Sequence, residues 1–163
     1  MKVLGVDPGT AFCGWGIVDE RDGRVRGVAH GSWSTSAREP VQDRLRTLFD
    51  GVAGVLEEHA PDAVALEESF VGADARTALS VGQARGVVLL ACARAGVRCD
   101  EYSPTQVKNA VCGFGRAEKA QVQRMVAAIL SLSRPPTPNH AADALAVAIC
   151  HALAPPLLKV VSA

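Results

Sequence analysis

Four residues in this chain have the types and positions to hold hard cations: Asp7, Glu67, His140 and Asp143. Asp7 ends an apolar run, Lys2–Asp7 (KVLGVD), where Pro8-Gly9 makes a turn. Asp before Pro-Gly is equally ordinary turn chemistry. Glu67 closes a second short apolar run, Ala63–Glu67 (AVALE), with Glu68 behind it, and a solvent-facing strand end reads the same way. His140 and Asp143 stand three apart at the start of a helical stretch, so they share one face. An acid in a first helical turn is also favourable dipole chemistry. Each position alone is open, but together they say more. Parallel strands present their carboxyl ends at one sheet edge, where α/β sites form. Carboxylates and an imidazole gathered there repel one another and stay partly protonated unless cations neutralise them. Oxygen ligands suit Mg²⁺ or Mn²⁺. Two such ions about 3.5–4 Å apart would activate a water and stabilise the leaving oxygen of a phosphodiester.

Those residues need elements to carry them. Lys2–Asp7 reads as a buried strand, Gly14–Asp19 as a second, and Val25–Trp33 as a third after the tight Arg21-Asp22-Gly23 connection. Short turns between them make an antiparallel meander. From Pro40 the apolar period becomes helical (Val41, Leu45, Leu48, Val52, Val55, Leu56) and runs to about His59. Ala63–Glu67 follows as a strand, 74–95 as a helix, and Val97–Tyr102 as a strand. Ser103-Pro104 opens a further helix with a capping residue and a proline at its first position. Ala117–Leu130 and the alanine-rich Ala141–Leu153 complete the set, with a proline-rich link over Arg134–Asn139. A strand meander followed by alternating helix and strand is an α/β pattern, one mixed sheet with helices on both faces.

Composition bounds the rest. The 163 residues suit one domain, placed at 1–155 with a tail at 156–163, and 48% hydrophobic against 21% charged is a globular balance. With only 4% aromatics, the core must come from Val, Leu, Ile and Ala. No apolar run is long enough to span a bilayer and the amino terminus does not read as a signal peptide, so a cytoplasmic protein is expected. The five cysteines lack a C-x-x-C pair, which excludes a zinc ribbon and argues for small buried hydrophobes. Net charge is zero, yet residues 1–70 carry 7 Lys+Arg against 12 Asp+Glu while the remainder carries 10 against 5. Such asymmetry fits an acidic site beside a basic contact surface, and equally fits scatter over a solvated surface.

Five segments carry a family resemblance: VLGVDPGTAFCGWGIV (3–18), ALEESF (65–70), ALSVGQARGVVLLA (78–91), SPTQVKNAVCGFGRAEKAQVQRMV (103–126) and HAADALAVAICH (140–151). In these segments, and in their order, the chain resembles the bacterial RuvC family of Holliday junction resolvases. The resemblance implies an RNase H-like fold, a five-stranded mixed sheet flanked by helices. It carries metal-binding acids onto Asp7, Glu67 and Asp143, and the fourth metal position, often Asp in the family, onto His140. Glu68 matches no catalytic position. Lys108 and Lys119 fall on positions implicated in DNA contact and catalysis, and Phe70 on one that stacks against a base. Arg76 and Arg85 suit either phosphate contact or a dimer interface. Gly82 and Gly86, four apart on one helix face, suit close approach of a helix across the family's two-fold axis or internal packing against the sheet. The implied activity is metal-dependent paired nicking of four-way DNA junctions by a homodimer, leaving 5′-phosphate ends, beside a branch-migration helicase complex. Two divalent cations per subunit, Mg²⁺ or Mn²⁺, are expected, and nitrogen at His140 favours Mn²⁺ over Mg²⁺. An RNA-processing nuclease of the same superfamily lacks the basic 103–126 segment. A sugar-kinase or actin-like ATPase needs two lobes that 163 residues cannot supply. A catalytically dead junction-binding scaffold is the third competitor, because of His140.

Overall fold

Side-chain alternation sorts the strands into two faces. In β1 (Lys2–Asp7), Val3, Gly5 and Asp7 share one face while Leu4 and Val6 share the other. β2 (Phe12–Arg21) runs antiparallel to β1 with Gly5 opposite Gly16 and Asp7 opposite Gly14. β3 (Arg24–Ser34) pairs antiparallel with β2 as the edge strand, and β4 (Ala63–Glu67) and β5 (Cys99–Tyr102) add parallel on the other side. The result is a five-stranded mixed sheet in the order β3-β2-β1-β4-β5. The computed structural model describes residues 1–68 and 75–154; Phe70 and the tail at 156–163 lie outside the described residues.

Helices cover both faces. α1 (Val41–His59) and α2 (Ala75–Ala95) bury Leu48, Val52, Ala84 and Val88 against Leu4, Val6, Val64 and Leu66. Trp15 and Trp33 stack there at 5.9 Å, with His59 tilted against Trp15, which gives these residues the structural roles of packing partners. On the opposite face α5 (Asn139–Leu153) lies over β1 and β2, flanked by α3 (Pro104–Cys112) and α4 (Lys119–Ile129) through Val107, Val111, Val122 and Val126. α3 starts as its sequence predicts. Gln106 N–H donates to Ser103 Oγ at 3.3 Å, and Ser103 N–H donates to Gln106 Oε1 at 2.8 Å.

Several boundaries differ from expectation: β2 is longer than Gly14–Asp19, β3 extends one residue beyond Val25–Trp33 at each end, and α4 is shorter than Ala117–Leu130. Two others differ for local reasons. β5 begins at Cys99 rather than Val97, because the Val97 N–H still closes the end of α2 by donating to the Cys92 carbonyl at 3.0 Å. α5 begins at Asn139 rather than Ala141, so Asp143 sits beyond the first turn and the dipole account of that acid fails. Cys13, Cys92 and Cys150 are buried, while Cys99 and Cys112 are half-buried; all five are free thiols. Among the described residues, no helix is long and apolar enough to cross a membrane.

α5 can lie this close because the strands beneath it carry glycine at the three points of nearest approach. A Cβ at Gly5 would overlap the Ala144 carbonyl oxygen, one at Gly14 the His140 carbonyl, and one at Gly16 would stand 2.5 Å from Leu145 Cγ. On the helix side, Ala141, Ala144 and Ala148 are fully buried. Backbone cannot rotate out of the way as a long side chain can, so Gly5→Ala must displace the helix or the strand. Gly5→Ala is expected to lower Tm by roughly 5–10 °C, from about 1–3 kcal/mol of overpacking at 2–4 °C per kcal/mol. Gly54→Ala, in open space on α1, should raise it slightly. Thermal unfolding of both variants checks the contrast.

Candidate active site

β1 and β4 are parallel neighbours, so Asp7 and Glu67 end on the same sheet edge and on the same face, the one α5 covers. α5 arrives there with its amino terminus. His140 and Asp143, one turn apart, therefore descend onto the strand-end acids from above. One ligand atom each from Asp7, His140 and Asp143 lie within 4.8 Å of one another. His140 Nδ1 and Asp7 Oδ2 are 2.9 Å apart. Of the four sequence-predicted ligands, the structure thus gathers these three tightly. Glu67 stands outside that group but within electrostatic reach of it.

The charges act on one another. Glu67 is pushed up to about 7, first by burial and then by the negative charges of Asp7 and Asp143. Burial also raises Asp7, against the opposing hydrogen bond from His140. Lys119, the first residue of α4, donates from Nζ to Asp143 Oδ2 at 2.6 Å, and this bond raises its own pKa. Expected to face DNA, Lys119 belongs to the acidic centre as well. Lys108 on α3 also lowers Glu67 from the same side.

Two clefts open on this centre. One of about 280 Å³ is lined by Glu67, Asp143, Lys108 and Lys119 with Pro104 and Val122. The other, about 440 Å³, runs between the β1–β2 turn and α2, and its lining includes Asp7, His140, Phe12, Arg76, Thr77 and Ser80. Lys108 and Arg76 therefore lie on opposite sides of the acids. Arg85, which the sequence left between phosphate contact and a dimer interface, is ion-paired inside the fold with Glu101 of β5. Glu68 is exposed, and its backbone N–H donates to the Tyr102 carbonyl at 2.8 Å.

Sequence reasoning missed two neighbours of the site. Gly14 lies opposite Asp7 and leaves room for the His140 backbone, a role signalled only by register. Phe12 stacks on the His140 ring, although the two are far apart in sequence.

Comparison with known proteins identifies the family. The model of the family described as crossover junction endodeoxyribonuclease RuvC matches residues 3–151. The RuvC protein of Chloroflexus aggregans is 50% identical over 159 residues, spanning 98% of this chain and 97% of that relative. The structure of Thermus thermophilus RuvC in complex with a Holliday junction substrate superposes with a TM-score of 0.90 at 41% identity, covering 93% of each chain. The yeast mitochondrial resolvase Ydc2 shares the fold alone, at 16% identity and a TM-score of 0.65 over 92% of this chain and 77% of that one. Near-complete coverage at this identity, with the sheet and helices in the same arrangement, means that the chain belongs to the RuvC family of crossover junction endodeoxyribonucleases.

Proposed function

We propose that this protein is a metal-dependent endodeoxyribonuclease that resolves four-way DNA junctions by paired symmetric nicks, in recombination and repair. The observation that carries this reading is the convergence of Asp7, His140 and Asp143, with Glu67 beside them, between two clefts bearing basic residues. The donor set fits divalent cations. Three carboxylates crowd together with burial and mutual repulsion raising Asp7 and Glu67, and Lys119 and Lys108 offset only part of that charge. Asp7, Glu67, Asp143 and His140 are the residues that would hold two ions. Bound there, such ions polarise a phosphoryl oxygen and lower the pKa of a water. The imidazole of His140 supplies nitrogen in place of a carboxylate, which favours Mn²⁺ over Mg²⁺.

The chain's own groups do the remaining work. Lys119 stays protonated through neutral pH because Asp143 raises it, so it presents a fixed positive charge to an approaching phosphate. Lys108 and Arg76 extend that positive rim on either side, and Phe70 is assigned to base stacking by its family position alone. Water attack at the phosphorus leaves a 5′-phosphate and a 3′-hydroxyl.

A junction is roughly two-fold symmetric, so paired nicks need two sites in matching orientation. α2 offers the surface for a homodimer. Leu79 and Leu90 are 64% and 55% exposed, and among the described residues a Cβ at Gly82 or Gly86 between them would meet nothing within 4 Å. That open face supports close approach of a second copy over internal packing for the glycine pair. A branch-migration helicase complex remains the expected partner and the cytoplasm the expected location, with residues 1–155 acting as one nuclease domain.

Three experiments test this reading. Asp7→Asn, Glu67→Gln and Asp143→Asn are each expected to lower cleavage of a synthetic four-way junction by ~10²–10³-fold, the scale of losing one preorganised electrostatic group. Gel-shift binding of the junction should survive. Wild-type cleavage should be faster with Mn²⁺ than with Mg²⁺ and absent with chelator. Binding lost in all three variants would make these acids structural.

The second concerns pH. Folded Glu67 titrates near 7 against an ordinary value of 4.5, so the folded state holds that proton more tightly than the unfolded one. This contribution to stability is present below about 4.5 and is lost as pH rises towards 7. In chelator, Glu67→Gln should therefore melt above wild type at pH 8, with the gap closing towards pH 4.5. Mn²⁺ should raise the wild-type Tm more than the variant's. The third is Leu90→Arg, which should convert the dimer to a monomer in light scattering and lose coordinated nicking on both strands.

A further inference from the structure

Among the described residues, Phe12 is the largest apolar side chain at the rim of the acidic centre, and it is 53% exposed. Its place in β2 explains how it reaches the site. Residues 12, 14, 16 and 18 share the face beneath α5, and they read Phe, Gly, Gly, Val. The two glycines admit the helix, and Phe12, one step further out, meets the helix at His140. The two rings lie 5.5 Å apart at their centroids and are inclined by only 7°. That is an offset parallel stack.

His140 needs such a partner. Its backbone is set by the close approach to Gly14, but its ring is half-exposed and tied by Nδ1 to Asp7 Oδ2 at 2.9 Å. The outer torsion of a histidine is broad and close to two-fold, so one hydrogen bond fixes an edge without fixing the plane. Rotation about that torsion exchanges the carbon and nitrogen positions offered to the site. An aromatic face laid flat on the ring restricts that rotation. Half its surface faces water, so Phe12 contributes little to the core; its contact with His140 is what the position supplies.

We propose that Phe12 is a positioning residue that holds the His140 ring in the orientation from which it ligates a divalent cation, an inference that rests on reading His140 as a ligand. The test is Mn²⁺ titration of the full, DNA-free chain, followed by the electron paramagnetic resonance signal of free Mn²⁺. Wild type is compared with Phe12→Leu, Phe12→Tyr and His140→Ala. Phe12→Leu keeps apolar bulk without a flat ring, and should weaken Mn²⁺ binding roughly 3- to 10-fold, as expected for losing one aromatic stack. Phe12→Tyr keeps the ring and should bind as wild type. His140→Ala should bind at least as weakly as Phe12→Leu, and both Phe12 variants should melt as wild type does. If Phe12→Leu binds like wild type while His140→Ala is weakened, the positioning role is wrong and the ligand role stands. If Phe12→Leu and Phe12→Tyr are weakened alike, the stack is not what matters and the proposal falls. If His140→Ala binds Mn²⁺ like wild type, the ligand reading falls and takes the proposal with it.

Discussion

The close seating of α5 on the backbone of β1 and β2 governs the rest of this structure. Two acids are carried by strand ends and two ligand-type residues by a helix, so the distance between them is the helix-to-sheet distance. A side chain at Gly5, Gly14 or Gly16 would overlap or press hard on the helix above. Removing all three leaves a groove into which the alanine face of α5 settles, placing His140 and Asp143 against Asp7. Packing here is dense and mostly apolar, and at the helix's first turns the same geometry opens to solvent. The far end of α5 is held as well, through the 2.9 Å hydrogen bond shared by His151 Nδ1 and the Tyr102 hydroxyl. An element pinned at one end by backbone contact and at the other by a buried polar pair has little freedom to move its ligands.

That rigidity has an electrostatic cost. Carboxylates forced together at a partly buried sheet edge raise one another's pKa, and Glu67 shows this most clearly. Lys119 answers part of the charge by bonding Asp143, drawing α4 onto the site, and Lys108 acts at longer range from α3. The remaining excess of negative charge explains why the donor set suits divalent cations. It also explains why basic residues cluster around an acidic centre in a chain whose formal charge is zero. The basic side chains lie on the rim, and the carboxylates lie in the middle.

Other residues with suggestive chemistry turn out to serve the fold. Arg85 is tied to Glu101, and Trp15, Trp33 and His59 pack together on the sheet face away from the acids. Trp15 is placed there by strand alternation, which sends Cys13, Trp15 and Ile17 of β2 towards α1 and the intervening residues towards α5. Both faces of the sheet build an apolar core, and the one under α5 also builds the site.

Much of this was legible in the chain. Periodicity, capping and composition together marked all ten elements of the described residues, because buried strands and amphipathic helices leave different spacings of the same apolar residues. The capping box at Ser103 is local chemistry, and it appears where the residues predict it. Asp7 and Glu67 at strand ends and His140 with Asp143 on one helical face were readable for the same reason. What the sequence could not decide was distance. Whether Glu67 joins the tight group, where Lys119 points, which glycine makes room for His140, and that Phe12 lies over that ring all depend on register and on how closely α5 approaches the sheet. Those are contacts between residues on different elements, 24 positions apart for Lys119 and Asp143 and more than a hundred for the pairs at His140, set by the packing of whole elements, and no local pattern of side chains encodes them.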